Sequence, residues 1–433
     1  MDRVTYRTRI KNTVLWGIFL CIGTVLRWLW IFAAHPWATT GDFREKYVYS
    51  DMLQYWLGVE KLWNPASQWS WSDTLFPPGT AYLYSLVLGS SMDRISLLQI
   101  TQFAMTMAIF LLIPILATCF SGRRAALISL AIGAVSFPLF DYGAYVLSET
   151  PFTLFLLLAI LILCFSLKKE SLSLCLLSGL CFGLSATFKS VGLVVAVFVT
   201  VAFAYKDMHK SYCCRGFSVL TLVCGILLLL VPASMEMTRR NGGRFLLLSN
   251  DIFRVAIANH GDLRGAHAFF PDGGEFTVIS PVSLQKSFTE MREIQWDTRI
   301  VFHENMAWIR AHPRKALLDF LGRSKDLIIG TASFPTGETR FQFLASISQK
   351  LIFFFIYIPA FLFIVDRRKT QSEPEKFFLW ILVLPVLGLF ATSIVAAMEP
   401  RYLHAFLPSL IVIASLFYER IFTKLKFMNT CLP

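Results

Sequence analysis

Apolar runs of about twenty residues recur along the whole chain, each long enough to carry a helix across the ~30 Å hydrocarbon core of a bilayer. They fall at 14–34, 95–119, 125–140, 151–167, 171–187, 190–205, 217–235, 350–365, 377–396 and 402–418, separated by short turns bearing charges, proline or glycine. In lipid a backbone must satisfy its own hydrogen bonds, which leaves helices or closed barrels, and runs of this length are helical. The predicted class is therefore an all-α polytopic membrane protein, a bundle of about 10–12 transmembrane helices. Composition agrees: with 55% hydrophobic and 16% charged residues, the 433-residue chain has too little polar surface to wrap a core of its size in water.

The formal net charge of +12 reads as a topology signal and not as nucleic-acid binding. Cytoplasmic loops of membrane proteins carry excess Lys and Arg. With the N-terminal Arg3, Arg7, Arg9 and Lys11 placed inside, alternation brings Arg123 and Arg124, Lys168 and Lys169, Lys206, Lys210 and Arg215, Arg367, Arg368 and Lys369, and Arg420, Lys424 and Lys426 to the same side. The pattern holds provided that the weak apolar stretch 80–92 does not cross, and its length suits a re-entrant or interfacial helix. Two longer regions then lie outside, 35–94 and 237–349. The predicted organisation is a transmembrane catalytic module, 1–236, containing the first external loop, then an external cap, 237–349, and C-terminal transmembrane helices, 350–433. The cytoplasmic loops are short and contain no P-loop or Gly-rich dinucleotide turn, so chemistry is expected outside.

All nine cysteines, including the adjacent Cys213 and Cys214, fall in helices or cytoplasmic loops, and no disulfide framework is expected in the external regions. The first apolar run is too long, and lacks a small-residue cleavage site, for a removable signal peptide.

A charge at mid-membrane costs roughly 2.5–3.5 kcal/mol even on lenient scales. The few present, Arg27, Asp141, Glu149, Lys189, Glu236, Glu399 and Arg401, all fall toward external helix ends in this topology. A polar cluster at one membrane face suits a ligand that is half lipid and half polar. In the first external region, Asp51, Tyr55, Trp56 and Val59 recur at helical spacing and Pro77-Pro78-Gly79 restarts the chain. Asp51 sits where a surface helix begins, with Ser50 before it, so spacing alone serves capping and catalysis equally. Trp63, Trp69 and Trp71 read as an interfacial aromatic belt. Glu149 precedes Pro151 in the first turn of a helix, where the helix dipole favours an anion. Lys189 stands on an external hairpin against the charge bias, which points to an anion partner. Arg401 has Glu399 two residues away, a ready local ion pair. His260, His267, His303 and His312 lack metal-site spacing and read as ordinary polar residues. The stretch MAWIRAHPRKALLDFLGRSKDLIIG alternates apolar and basic residues around Pro313, as a helix on the headgroup layer does.

The chain resembles the C-type membrane glycosyltransferases, specifically the bacterial relatives of protein O-mannosyltransferases and lipid A aminoarabinose transferases. The resemblance lies in the order of SDMLQYWLGVEKL, FPPGTAYLYSL, GRRAALISLAIGAVSFP, SETPFTLFLLLAI, GLCFGLSATFKSVGLV, RNGGRFLLLSNDIFRVAIANH and EPRYLHAFLPSLIVIA, which covers nearly the whole chain. It implies an acidic general base in the first external loop, matched by Asp51 with Asp42 as substitute. It implies a second acidic residue near the donor phosphate or a metal, matched by Glu149, a basic residue between two helices on the lipid phosphate, matched by Lys189, and a motif near the last helix that contributes Arg401. Many relatives have adjacent acids where this chain has a single Asp51, so a divalent metal is an open element of the expectation.

The implied activity is transfer of a sugar from a polyprenyl-phosphate donor to an acceptor hydroxyl, on a glycan, lipid or protein, at the external face of a bacterial cytoplasmic membrane. A single displacement needs one base and cations for the leaving phosphate, and it inverts the anomeric carbon. Membrane lipids are the expected surroundings and nucleic acid is not an expected partner. Two rival readings differ in class. A polymerase or ligase of lipid-linked glycans would share the donor but not the early Asp51 arrangement. A transporter or flippase would show internal repeats and charges at mid-membrane.

Overall fold

The computed structural model describes residues 3–34, 51–64, 66, 69, 71–74, 76–89, 95–207, 212–249, 268–269, 277–278, 298–330, 339–367, 373–395 and 400–431. The apolar runs of the sequence are helical there, with interruptions at 136–137 and 405–406. In chain order the helices are α1 (Arg3–Trp28, continuing as a π-helical turn Leu29–Ala34), α2 (Asp51–Trp63), α3 (Gly79–Leu88), α4 (Ile95–Phe120), α5 (Arg123–Val135), α6 (Glu149–Lys169), α7 (Leu172–Phe188), α8 (Val191–Asp207) and α9 (Tyr212–Arg240). They continue as α10 (Thr298–Ala311), α11 (Pro313–Ile329), α12 (Thr339–Ile352), α13 (Ile358–Arg367, joined to α12 by the π-turn Phe353–Tyr357), α14 (Glu373–Val395), the single turn α15 (Pro400–His404) and α16 (Leu407–Cys431). A two-residue antiparallel ladder, Ala268–Phe269 with Thr277–Val278, is the only sheet among the described residues.

Five of these helices are long and apolar enough to cross a membrane by themselves: Thr13–Ala33, Ile95–Phe120, Glu149–Lys169, Gly216–Arg240 and Phe343–Asp366. The run read as one span over 125–140 is broken. Helix α5 stops at Val135, and after a bend of 66° the chain continues through Pro138–Ala144. Ser136 takes an extended backbone, φ −74° and ψ 96°, just ahead of Pro138, which has no N–H to continue a helical ladder. The break turns Asp141 and Tyr142 into the bundle. Helices α7 and α8 are shorter apolar segments, as is α3, whose ten residues span about 15 Å at 1.5 Å per residue, half of a hydrocarbon core.

Two glycines draw α7 and α9 together. A Cβ on Gly179 would lie 2.2 Å from the Leu222 carbonyl oxygen, and one on Gly225 would lie 2.5 Å from that of Leu176. Small residues let backbones approach where lipid supplies no hydrophobic drive between helices.

The two ends of the bundle differ. At one end Lys168 donates to the Cys119 carbonyl at 2.7 Å, Ser121 bonds Glu419, and Arg420 pairs with Asp366, which gathers the basic turns around Arg123, Lys168 and Arg367. Helix α6 then runs its 21 residues, about 30 Å, to Glu149 at the opposite end. Between the two ends, and not at the external helix end the sequence suggested, Arg27 is fully buried, donating to the carbonyls of Gly23 at 3.0 Å and Gly133 at 3.1 Å with its guanidinium 4.2 Å from the Phe110 ring. Gly133 and Phe110 each lie about 15 Å along their helices from the basic turns. Arg27 ties α1 to α4 and α5.

Candidate functional site

Helix α2 carries Asp51 as its first described residue and buries Met52, Tyr55, Trp56, Gly58 and Val59 on one face. Tyr55 packs on Phe76 at 5.1 Å, and its hydroxyl is hydrogen-bonded to Ser148, the residue before α6. Burial, reinforced by the nearby Glu149 and Asp51 carboxylates, raises the Tyr55 hydroxyl well above its ordinary pKa and keeps it a proton donor. Tyr84 of α3 is fully buried and donates to the Leu147 carbonyl at 2.6 Å, while Gln102 of α4 donates to the Tyr84 hydroxyl at 2.6 Å and the Tyr145 carbonyl at 3.0 Å. These bonds hold the segment leading into α6 between α2, α3 and α4.

Helix α6 opens on Glu149, with Pro151 in the first turn, where a missing N–H leaves no hydrogen bond unmade. The antiparallel partner α7 ends at Lys189, which leaves the helix with extended backbone, φ −145° and ψ 127°. The two residues meet, with Lys189 Nζ 2.8 Å from Glu149 Oε1. Lys189 Nζ also stands 3.7 Å from the centroid of the Tyr402 ring. Next to Tyr402 in α15, Arg401 places Nε 3.5 Å from the same Glu149 oxygen and Nη2 against the Asp51 carboxylate. Glu149, Lys189 and Arg401 are buried, and Asp51 is partly buried.

Asp51, Arg401, Glu149 and Lys189 thus form one alternating chain of opposite charges drawn from four elements. All four residues singled out in the sequence converge. Arg401 engages Asp51, 350 positions away, and Glu149, while Glu399 lies outside the described residues. The anion partner that Lys189 demanded is Glu149 itself. Glu149 Oε2 is buried and accepts no hydrogen bond among the described residues.

Other singled-out residues stand apart. Arg27 is a packing cation, Asp141 accepts on its carbonyl from Trp30 Nε1 at 3.3 Å, and Glu236 pairs with Arg239 and Arg240, both at 2.8 Å. Trp69 lies under the Arg240 guanidinium at 3.8 Å, so this member of the expected belt is engaged by protein. Trp63 is exposed, and the side chain of Trp71 lies outside the described residues, as do Ser50, Asp42, His260 and His267. His303 and His312 are exposed on and beside α10.

Sequence reasoning missed His404, Tyr142 and Gln349. His404 ends the same short turn as Arg401, with Nδ1 3.2 Å from the Tyr142 hydroxyl and Nε2 2.8 Å from Gln349 Oε1. The only signal for it was the proximity of His404 to Arg401 in the chain.

With this geometry in hand, residues 76–235 match the family model of dolichyl-phosphate-mannose-protein mannosyltransferase. The matched stretch contains Glu149 and Lys189; Asp51 and Arg401 flank it. No curated protein matches the chain in sequence. In three dimensions it is similar to the oligosaccharyltransferase AglB of Archaeoglobus fulgidus. The structure of that enzyme with Zn and sulfate aligns at a TM-score of 0.55 and 13% identity over 94% of this chain and 50% of that one. Its complex with an inhibitory peptide and a dolichol-phosphate aligns at 0.55 and 13% over 98% and 52%, and the form tethered to an acceptor peptide at 0.51 and 14% over 98% and 51%. The fold is that of the C-type membrane glycosyltransferases. The chain spans about half the length of the solved structures it matches.

The C-type fold raises the question of a metal. Among the described residues no three His, Cys, Asp or Glu side chains converge. Asp51 and Glu149 each already face a cation. A hard divalent cation such as Mg2+ takes six oxygen ligands, of which one or two are commonly carboxylates and the rest water and substrate phosphate. Asp51 and Glu149 are the described carboxylates that would serve such an ion beside a donor phosphate, and each would have to leave its cation to do so.

Proposed function

We propose that the chain is a glycosyltransferase that moves a sugar from a polyprenyl-phosphate donor to an acceptor hydroxyl with inversion, at the external face of a bacterial cytoplasmic membrane. The observation that carries this reading is the four-residue charge chain at the end of the bundle opposite the basic turns. In the reaction, the acceptor oxygen bonds to the anomeric carbon while the bond from that carbon to the phosphate oxygen breaks. The electron pair leaves with the polyprenyl phosphate. Asp51 takes the hydroxyl proton, and Arg401 and Lys189 stabilise the charge developing on the phosphate.

Both cations already face carboxylates, so a donor phosphate must compete for them. As Arg401 turns from Asp51 toward the phosphate, the Asp51 carboxylate is released to act as a base. Coupling base activation to donor arrival protects the lipid-linked sugar from premature attack. Glu149 keeps the two cations together and fixes their spacing.

The region 237–349 is proposed as a cap that selects the acceptor. Its helix α11 exposes Arg314, Leu317, Leu318, Leu321 and Lys325 on one stripe, an apolar centre with a cation at each end. That arrangement suits the headgroup layer. The opposite face is anchored, with Arg323 Nε donating to the Ser393 carbonyl at 3.0 Å.

The test is to incubate the purified full chain in lipid nanodiscs with a polyprenyl-phosphate sugar, and to compare by mass spectrometry the glycans and lipids of cells with and without the gene. Release of polyprenyl phosphate together with a glycan or lipid missing from the deleted strain is expected. An unconsumed donor and identical profiles would refute the reading.

A further inference from the structure

The turn α15 packs three roles into five residues. Arg401 reaches Asp51 and Glu149, the Tyr402 ring lies beside Lys189, and His404 points away into the bundle, where it is 4% exposed. A single helical turn cannot hold itself in place by its own hydrogen bonds. On its bundle-facing side the bonds that hold it come from His404.

Their direction is determined. The Ile328 carbonyl can only accept, so the Gln349 atom 2.6 Å from it is the amide nitrogen. Gln349 Oε1 therefore faces His404, and at 2.8 Å it can only accept, which puts the imidazole proton on Nε2. In the neutral imidazole Nδ1 is then a lone pair, and it accepts from the Tyr142 hydroxyl at 3.2 Å. The chain runs from Tyr142 at the broken end of α5, through His404 and Gln349 of α12, to the last turn of α11. Every member of it but Ile328 is buried, and Ile328 is partly buried.

We infer that His404 is a positioning residue for Arg401, holding the guanidinium at the phosphate subsite through directional bonds to Tyr142 and Gln349. This rests on the proposed role of Arg401 toward the donor phosphate. Tyr142 owes its place to the kink after Val135, so the broken helix serves the site by aiming a hydroxyl at the turn that bears Arg401. Through Ile328 the same chain joins that turn to the proposed cap.

The experiment measures binding of polyprenyl phosphate to the full chain in phosphatidylcholine nanodiscs, so that inactive variants still give a readout. His404→Leu is expected to weaken binding about tenfold when Arg401 is present and to change it less than twofold in an Arg401→Lys background. His404→Gln, which keeps a donor toward Gln349, and Tyr142→Phe, which keeps the ring, are expected to fall between wild type and His404→Leu; they also serve if His404→Leu folds poorly. Equal weakening in both Arg401 backgrounds would make His404 a structural residue and overturn the inference, as would unchanged binding in all three variants. If Arg401→Lys and the charge-removing Arg401→Gln both bind as wild type, the phosphate role of Arg401 fails and the inference falls with it. That result is distinct from a loss confined to Arg401→Lys, in which the phosphate role stands and His404 does not serve it.

Discussion

Lys189 and Glu149, at adjoining ends of the α6–α7 hairpin, form an ion pair of 2.8 Å whose side chains are 11% and 3% exposed. Removing one partner of a buried pair leaves a desolvated charge and typically costs about 3–5 kcal/mol, whereas removing both can be nearly neutral. Lys189→Met should therefore lower stability by an amount at the bottom of that range, since Arg401 remains beside Glu149. The double variant Lys189→Met/Glu149→Gln should be more stable than Lys189→Met alone. Thermal unfolding in detergent measures this, and strictly additive losses would show that the pair is not coupled.

Asp51→Asn separates capping from proton transfer. Asn caps a helix about as well as Asp and keeps an acceptor toward Arg401, but it takes up no proton. The variant is expected to insert and to bind donor at least as well as wild type, since the competition for Arg401 is relieved, while turnover falls by about 10²–10⁴. Turnover near wild type would remove Asp51 from the mechanism and direct attention to Asp42.

Gly79 seats the start of α3 against the residue two places before Lys189. A Cβ there would lie 2.5 Å from Thr187 Oγ1 and 2.7 Å from the Thr187 carbonyl oxygen. Gly79→Ala should displace that strand of backbone, cost about 1–3 kcal/mol of overpacking and reduce turnover through Lys189. Gly122→Ala, where nothing lies within 4 Å, is the matched control and should leave activity as it is.

The α7–α9 contact is steric in the same sense. Gly179→Val should force the backbones apart at the Leu222 carbonyl and lower folded yield in detergent, whereas Gly216→Ala, in open space, should not. Equal yields from the two variants would show that close approach at Gly179 is dispensable.

Sidedness is tested with reporters. A fusion after Lys169 should read cytoplasmic and one at Gly273 external, because alternation from a cytoplasmic N-terminus puts the basic turns on one side. The reverse pattern would move the charge chain to the cytoplasmic face and the donor with it.

The bundle was legible in the sequence because lipid permits little else: a run such as 151–167 has few alternatives to a membrane helix. Of the charge chain, Glu149, Lys189 and Arg401 were legible because an ionised group in an apolar segment needs a reason, and Asp51 through its helical spacing in the first external loop and the family resemblance. Their pairing was not. Glu399 is close to Arg401 in the chain, and nothing local announces that the guanidinium spans 350 positions to Asp51. The kink after Val135 stayed hidden because Phe137 and Pro138 continue an apolar run, and hydropathy is blind to a missing N–H. His404, Tyr142 and Gln349 escaped notice since each alone is an ordinary polar residue near a membrane end; only their mutual geometry gives them meaning.

The charge chain draws its members from positions 51, 149, 189 and 401, in the order in which a ribosome would deliver them. During synthesis Glu149 and Lys189 can neutralise each other as soon as the α6–α7 hairpin is in the bilayer, but Asp51 waits for Arg401. Until the last helices are inserted, Asp51 lacks the Arg401 guanidinium that faces it in the finished fold. On the proposed mechanism, competence toward a lipid-linked sugar would depend on insertion of the turn that carries Arg401, and a translation product interrupted before it would be inert.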